Sequence, residues 1–191
     1  MLACRSVTMS DWPVLETLMG PKGVGGGCWC QWAVVPRGGK LWRECQGTGN
    51  RNAFRRQIQS GEAHGSLAFH GEECVGWCRY GPTESFPRLA NSPSLNGDPP
   101  AGTWSVVCFY IPARWRGRGV ATALLRHALD EMLGKGVALV EAYPVPDSTR
   151  SGAAQPAAFA WMGVASLFTR RGFRPLSRAG VARKIYRLAM D

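Results

Sequence analysis

Residues 104–133, WSVVCFYIPARWRGRGVATALLRHALDEML, constrain the fold more than any other stretch. WSVVCFYI (104–111) is an apolar run of strand length, rich in β-branched and aromatic residues. Pro112 ends it. Arg114, Arg116 and Arg118 then crowd around Gly117 and Gly119, and ALLRHALDEML continues at helical spacing from about Gly119 to Leu133. Such a chain leaves a buried strand and enters an amphipathic helix within a few residues, so it needs a sheet with helices laid on it. The turn between them is costly, because like charges repel and glycine loses backbone entropy. An anion offsets both costs. Successive amides at a helix N-terminus form an anion cradle reinforced by the helix dipole. Arg116 and Arg118 can add charge-assisted hydrogen bonds, and Thr122 offers a hydroxyl in the first turn. The shape suits a phosphate or pyrophosphate.

Around this centre the chain reads as a strand at Arg5–Met9, a helix capped by Ser10 and Asp11 that runs to Met19, and a glycine-rich loop over 21–27. A basic helical pattern spans Leu41–Ser60, broken by Gly47 and Gly49. SLAFH (66–70) and CVGWCRY (74–80), joined by GEE, read as a hairpin. Residues 81–103 hold five prolines and three glycines and read as one long loop, as do residues 144–157. VALVEAYPV (137–145) is a second buried strand, 158–173 a helix ending at Gly172, and 182–190 a final strand. The order β-α-α-β-β-β-α-β-α-β predicts an α/β (α+β) chain, residues 1–191 forming a single domain with a central mixed sheet and helices on both faces.

Of the 191 residues, 23 are Lys or Arg and 13 Asp or Glu, a net charge of +10 that favours anionic partners. The basic residues are spread along the chain, and no RNA-binding aromatic motif or zinc finger occurs, which leaves a nucleic-acid-binding module as a rival only on charge. No apolar run approaches the roughly 20 residues of a membrane span, and no signal-peptide pattern opens the sequence. The seven cysteines are scattered and odd in number. Reduced thiols in the cytoplasm are the expectation.

Three phosphate-binding patterns can be compared with the turn. The P-loop GxxxxGK[ST] is absent. The dinucleotide fingerprint GxGxxG begins with Gly117 and Gly119, but Thr122 stands where its third glycine belongs, although Glu141 lies about 20 positions on, as that fingerprint asks. Arg116-Gly117-Arg118-Gly119-Val120-Ala121 fits R-x-x-G-x-A, the acetyl-CoA signature of the GNAT N-acetyltransferases. In this strand–turn–helix setting, and with LFTRRGF (167–173) similar to that family's LYxxxGF ending, the sequence resembles GNAT proteins over most of its length.

The resemblance implies a mostly antiparallel, twisted sheet whose strands splay at an acetyl-CoA site. It implies that the backbone from Arg116 through Gly117, Arg118, Gly119, Val120 and Ala121 to Thr122 holds the CoA pyrophosphate. The backbone of Phe109 and Ile111 is expected to pair with the pantetheine as an added strand. A free amide near Phe109 is expected to polarise the thioester carbonyl. Arg114 is expected at the rim or in solvent.

Acetyl transfer needs a neutral amine and a route for the departing thiolate. Glu141, a carboxylate in an otherwise apolar strand, is the candidate base; the alternative is an arginine-paired Glu. For the acid, the sequence departs from the family. Phe168 replaces the usual tyrosine, and Trp161 stands where an asparagine is frequent. Either Tyr110 or Tyr143 substitutes, or no acid does; Tyr143, on the strand face of Glu141, is preferred.

Cys28-x-Cys30 and Cys74-x₃-Cys78 lack the usual zinc spacing, so no metal is expected. Cys108 reads as a core residue. Trp29, Trp32, Trp42 and Phe86 fall where a variable acceptor pocket is built in this family. The resulting expectation is a direct acetyl-CoA-dependent N-acetyltransferase acting on a primary amine, first of a small molecule and second of a protein N-terminus or lysine. A non-catalytic CoA sensor is the rival suggested by Phe168. A homodimer is compatible with the sequence.

Overall fold

In a computed structural model, residues 1–36, 40–149, 151–153, 156, 160–176 and 185–190 are described. The elements are β1 (Leu2–Ser6), α1 (Trp12–Met19), the single turn α2 (Val24–Gly27), α3 (Lys40–Cys45), α4 (Thr48–Gln59), β2 (His64–His70) and β3 (Glu73–Pro82). They continue with α5 (Pro87–Ala90), β4 (Trp104–Tyr110), α6 (Val120–Gly134), β5 (Leu139–Ala142), α7 (Ala165–Thr169), β6 (Arg174–Pro175) and β7 (Tyr186–Ala189). One seven-stranded sheet runs in the order β1-β2-β3-β4-β5-β7-β6. Every pairing is antiparallel except β4 with β5, which α6 joins as a crossover.

Alternation along the strands divides the core. On one face α6 buries Val120, Leu124, Leu125 and Met132 against Val75, Val106 and Val140. On the other, α1 and α4 bury Leu15, Phe54 and Ile58 against Leu67 and Trp77. Gly76 in β3 lies directly beneath the start of α6: a Cβ there would stand 2.6 Å from Val120 Cγ1 and 3.0 Å from Leu124 Cδ1. That close approach fixes the height of the first turn of α6 above the sheet.

Three expectations change. The helix expected over 158–173 is restricted to Ala165–Thr169, because Gly163 sits at φ +84° and Val164 is extended; Ala158 and Phe159 lie outside the described residues. The pattern over Leu41–Ser60 is two helices, parted at Gly47 with φ +75°. The loop over 81–103 contains α5 and buries Phe86, Leu89 and Leu95, so apolar anchors tie it down. Residues 177–184, which include the start of the strand expected over 182–190, lie outside the described residues.

Candidate active site

Strand β4 pairs with β5 through only Trp104–Val106, opposite Val140–Ala142. At Val107 the β3–β4 register slips, with Arg79 opposite Cys108 and Tyr80 opposite Val106. Beyond β5 the chain turns to bridge Val145 to Val164 instead. A bulge followed by loss of a partner is how a sheet opens. The strands splay here, and a cleft of about 960 Å³ lies along Val107–Ile111.

At one end the cleft meets the turn before α6. Arg116, Gly117, Gly119, Val120, Ala121 and Thr122 all line it. Gly117 and Gly119 take φ of +71° and +79°, and a Cβ on either would meet nothing within 4 Å. The requirement for glycine is therefore conformational, and the backbone stays open to a ligand. The N-terminal amides of the 15-residue helix α6 face the same end. Arg170 and Arg171, which follow α7, also line the cleft. A pyrophosphate fits this donor set of open amides, a hydroxyl and three guanidinium groups.

The other arginines of the turn behave differently. Arg114 is exposed and pairs with Glu73 at 2.5 Å. Arg118 lies over the Trp115 ring, 5.4 Å from its centroid, and does not line the cleft. Arg116 donates through Nε to the Ile111 carbonyl at 3.0 Å, bracing the turn against β4. The Phe109 amide, expected to be free, donates to the Trp161 carbonyl at 2.6 Å. The backbone at Trp161 thus lies on the β4 edge that a pantetheine would use.

Neither Glu141 nor Tyr143 lines the cleft. Both are fully buried. Glu141 Oε1 accepts from Arg187 Nε at 2.8 Å, and its Oε2 accepts the Tyr143 hydroxyl at 2.8 Å. Tyr143 in turn lies 2.9 Å from Ser105 Oγ, which lies 2.8 Å from Thr83 Oγ1. Burial, then the Glu141 charge, pushes the Tyr143 phenol well above its ordinary value. Tyr110 does line the cleft. Phe168 is buried and packs edge-on against Phe109 and Phe173.

The far end is aromatic. Trp32, Trp42 and Trp161 line it, with Trp32 and Trp161 meeting edge-on at 4.6 Å. Arg88 backs Trp32 and Trp42, 4.7 and 5.4 Å from their centroids. Trp29 and Phe86 are core residues, Trp29 stacking on Trp12. Cys28, Cys30 and Cys108 border this end, whereas Cys74 and Cys78 do not. Among the described residues no three His, Cys, Asp or Glu side chains group as a metal would need. None of the described helices is long and apolar enough to cross a membrane.

A model of the acetyltransferase (GNAT) family matches residues 39–154, more than half of the chain. The chain belongs to that family and is an acetyl-CoA-dependent N-acetyltransferase. No curated protein matches it in sequence. Among solved structures, it is similar to the PaiA N-acetyltransferase of Thermoplasma acidophilum in complex with coenzyme A, at 13% identity and a TM-score of 0.55, over 100% of this chain and 99% of that one. A Drosophila melanogaster polyamine N-acetyltransferase that forms N-acetylagmatine is similar at 12% identity and a TM-score of 0.57, over 100% of both chains. The Escherichia coli ribosomal-protein-S18-alanine N-acetyltransferase is similar at 11% identity and a TM-score of 0.51, over 100% of this chain and 93% of that one. These likenesses are of fold.

Proposed function

We propose that the chain transfers the acetyl group of acetyl-CoA directly to the primary amine of a small, largely apolar molecule. The observation that carries this reading is the continuity of the cleft, with a phosphate cradle at one end and tryptophans at the other. The backbone of Gly117–Thr122, with Arg116, Arg170 and Arg171, would hold the pyrophosphate. When bound, acetyl-CoA supplies the activated acetyl group. The pantetheine would lie along Phe109–Ile111, which requires the Trp161 carbonyl to give up the Phe109 amide. That amide then becomes a donor for the carbonyl oxygen.

The small-molecule choice rests on lining chemistry. No Asp or Glu lines the cleft among the described residues. A second positive charge on the acceptor, as in a polyamine, would find three arginines and no counter-charge there. Trp32 and Trp42 instead offer flat apolar area with defined geometry. In this reading Arg118 adds long-range charge without contact. Glu141 and Tyr143 hold β5 to β7 and β4 from behind the cleft wall. Tyr110, the one phenol lining the cleft among the described residues, would protonate the departing thiolate. The seven unpaired thiols suit a reducing compartment such as the cytoplasm.

The test is a panel of amines scored for CoA release. The expected positives are arylalkylamines with a single charge. Release only with polyamines or with peptides would contradict the acceptor class, and release with no amine would contradict transfer.

A further inference from the structure

The cleft lacks a conventional base. Among the described residues lining it there is no carboxylate and no imidazole, and its proton acceptors are Cys28, Cys30, Cys108 and Tyr110. Of these, Cys30 occupies an unusual setting. Its residue and Trp29 are consecutive non-glycine residues at φ +54° and +45°. Both positions are unfavourable for residues that carry a side chain, so the surroundings must impose them. Trp29, stacked on Trp12, anchors the turn, and Cys30 is turned inward until only 3% of it remains exposed, at the cleft.

There it meets donors. Trp77 Nε1–H donates to Cys30 Sγ at 3.1 Å. The Sγ atoms of Cys30 and Cys108 stand 3.6 Å apart. Arg79 donates to the Cys30 carbonyl at 2.6 Å and to Gln57 Oε1 at 2.8 Å. Arg79 is itself 97% buried, has an Nε with no partner, and forms no ion pair with a carboxylate among the described residues. A buried guanidinium without a counter-charge is expensive, and a thiolate on Cys30 is the anion at hand.

We propose that Cys30 is a thiolate held at the cleft floor by Arg79 and Trp77, and that it takes the proton from the acceptor's ammonium group so that the amine can attack the thioester. This rests on the direct transfer proposed above and supplies its base. The ionisable groups around Cys30 agree with the assignment. The neighbouring Cys108 thiol favours the Cys30 anion most, burial opposes it, and Arg79 in β3 and the bond from Trp77 add to the favour. Burial, with the Cys30 charge beside it, pushes Cys28 up to about 11, and burial likewise raises Cys78.

The step balances. The ammonium gives one proton to the Cys30 thiolate, and the neutral nitrogen bonds to the acetyl carbon. The carbon–sulfur bond of the thioester breaks, and the second N–H proton passes to the departing CoA thiolate by way of Tyr110. Cys30 then returns its proton to solvent, so one proton is released per acetyl group transferred.

Thiolate absorbance near 240 nm, titrated on the unmodified protein, is the first test. A thiolate should appear with a midpoint below the ordinary cysteine value of about 8.5 and be absent from Cys30→Ser, and its midpoint should rise in Arg79→Gln. The pH profile of kcat/KM for the best amine should fall on the acid side with the same midpoint. Cys30→Ser should lower kcat by about 100-fold while the Kd for acetyl-CoA, measured separately, stays unchanged. The proposal is overturned if no thiolate forms below about 8.5. It is also overturned if Cys30→Ser keeps the wild-type pH profile, or if acetyl-CoA without amine leaves an acetyl group on Cys30, which would make the thiol a nucleophile. Loss of acetyl-CoA binding or of all amine-dependent CoA release in the wild type would instead overturn the proposed function itself.

Discussion

The Tyr143 hydroxyl donates to Glu141 Oε2 at 2.8 Å, and both side chains are wholly buried behind the cleft. Glu141 stands on β5 and Tyr143 just beyond its end, and Arg187 of β7 completes the group at 2.8 Å from Glu141. Its geometry is that of a tie between strands. Tyr143→Phe breaks bonds to Glu141 and Ser105 and should cost about 1 kcal/mol of stability while kcat stays within twofold. Tyr110→Phe, on the cleft wall, should lower kcat about tenfold with little effect on stability. Urea unfolding and steady-state kinetics on the two variants check the contrast.

The same tie has a pH signature. Burial and the Glu141 charge hold the Tyr143 phenol well above its ordinary value. Between the unfolded value near 10 and the higher folded value, the folded chain therefore keeps a proton that the unfolded chain has lost. The Tyr143 contribution is full below about pH 10 and falls as pH rises beyond it. Denaturant midpoints measured across that range should drop in the wild type and drop less steeply in Tyr143→Phe, where the raised Cys28 and Cys78 still act.

Arg187→Met leaves the Glu141 carboxylate buried without its cation. Removing one partner of a buried pair costs roughly 3–5 kcal/mol, and the partial exposure of Arg187 places the expected loss at the low end, about 3 kcal/mol. The double variant Arg187→Met with Glu141→Gln should recover part of that loss. Equal stability of single and double variants in urea unfolding would argue against the tie.

The central strand and the turn after it were legible because each depends on local chemistry, whereas the splay came only from the family resemblance. The strand at 104–111, the glycines at 117 and 119 and the helix after them all answer to periodicity and to positive φ, which a sequence displays. The two-residue period put Glu141 and Tyr143 on one side of the chain, and their side chains do meet there, although β5 ends at Ala142. Which way that face looks depends on Arg187, 46 residues further along the chain, and no local pattern carries that. In the sequence Cys30 reads only as a candidate zinc ligand for the same reason: its partners Trp77, Arg79 and Cys108 come from two strands distant in sequence. Trp161 read as part of a helix, whereas Gly163 at φ +84° turns its carbonyl onto β4.

Gly76→Ala tests how α6 is seated. The added methyl would stand 2.6 Å from Val120 Cγ1, so α6 must lift or the side chain must shift. Overpacking of this kind costs typically 1–3 kcal/mol. Because Val120 opens the helix whose amides are proposed to form the cradle, the variant should also bind acetyl-CoA several-fold more weakly. A thermal scan with and without acetyl-CoA reads both effects.

The central claim is that the turn before α6 is an acetyl-CoA cradle formed by exposed backbone. Isothermal titration of acetyl-CoA into the wild type and into Gly117→Val tests it most directly. Gly117 sits at φ +71° with open space around it, so valine there strains the turn, at roughly 1–2 kcal/mol, rather than the core. The account predicts saturable one-to-one binding by the wild type, about tenfold weaker in Gly117→Val, and a stabilisation near 2.7 kcal/mol when the ligand stands at about 100 times Kd. Absence of binding by the wild type, or equal affinity in the variant, would contradict it.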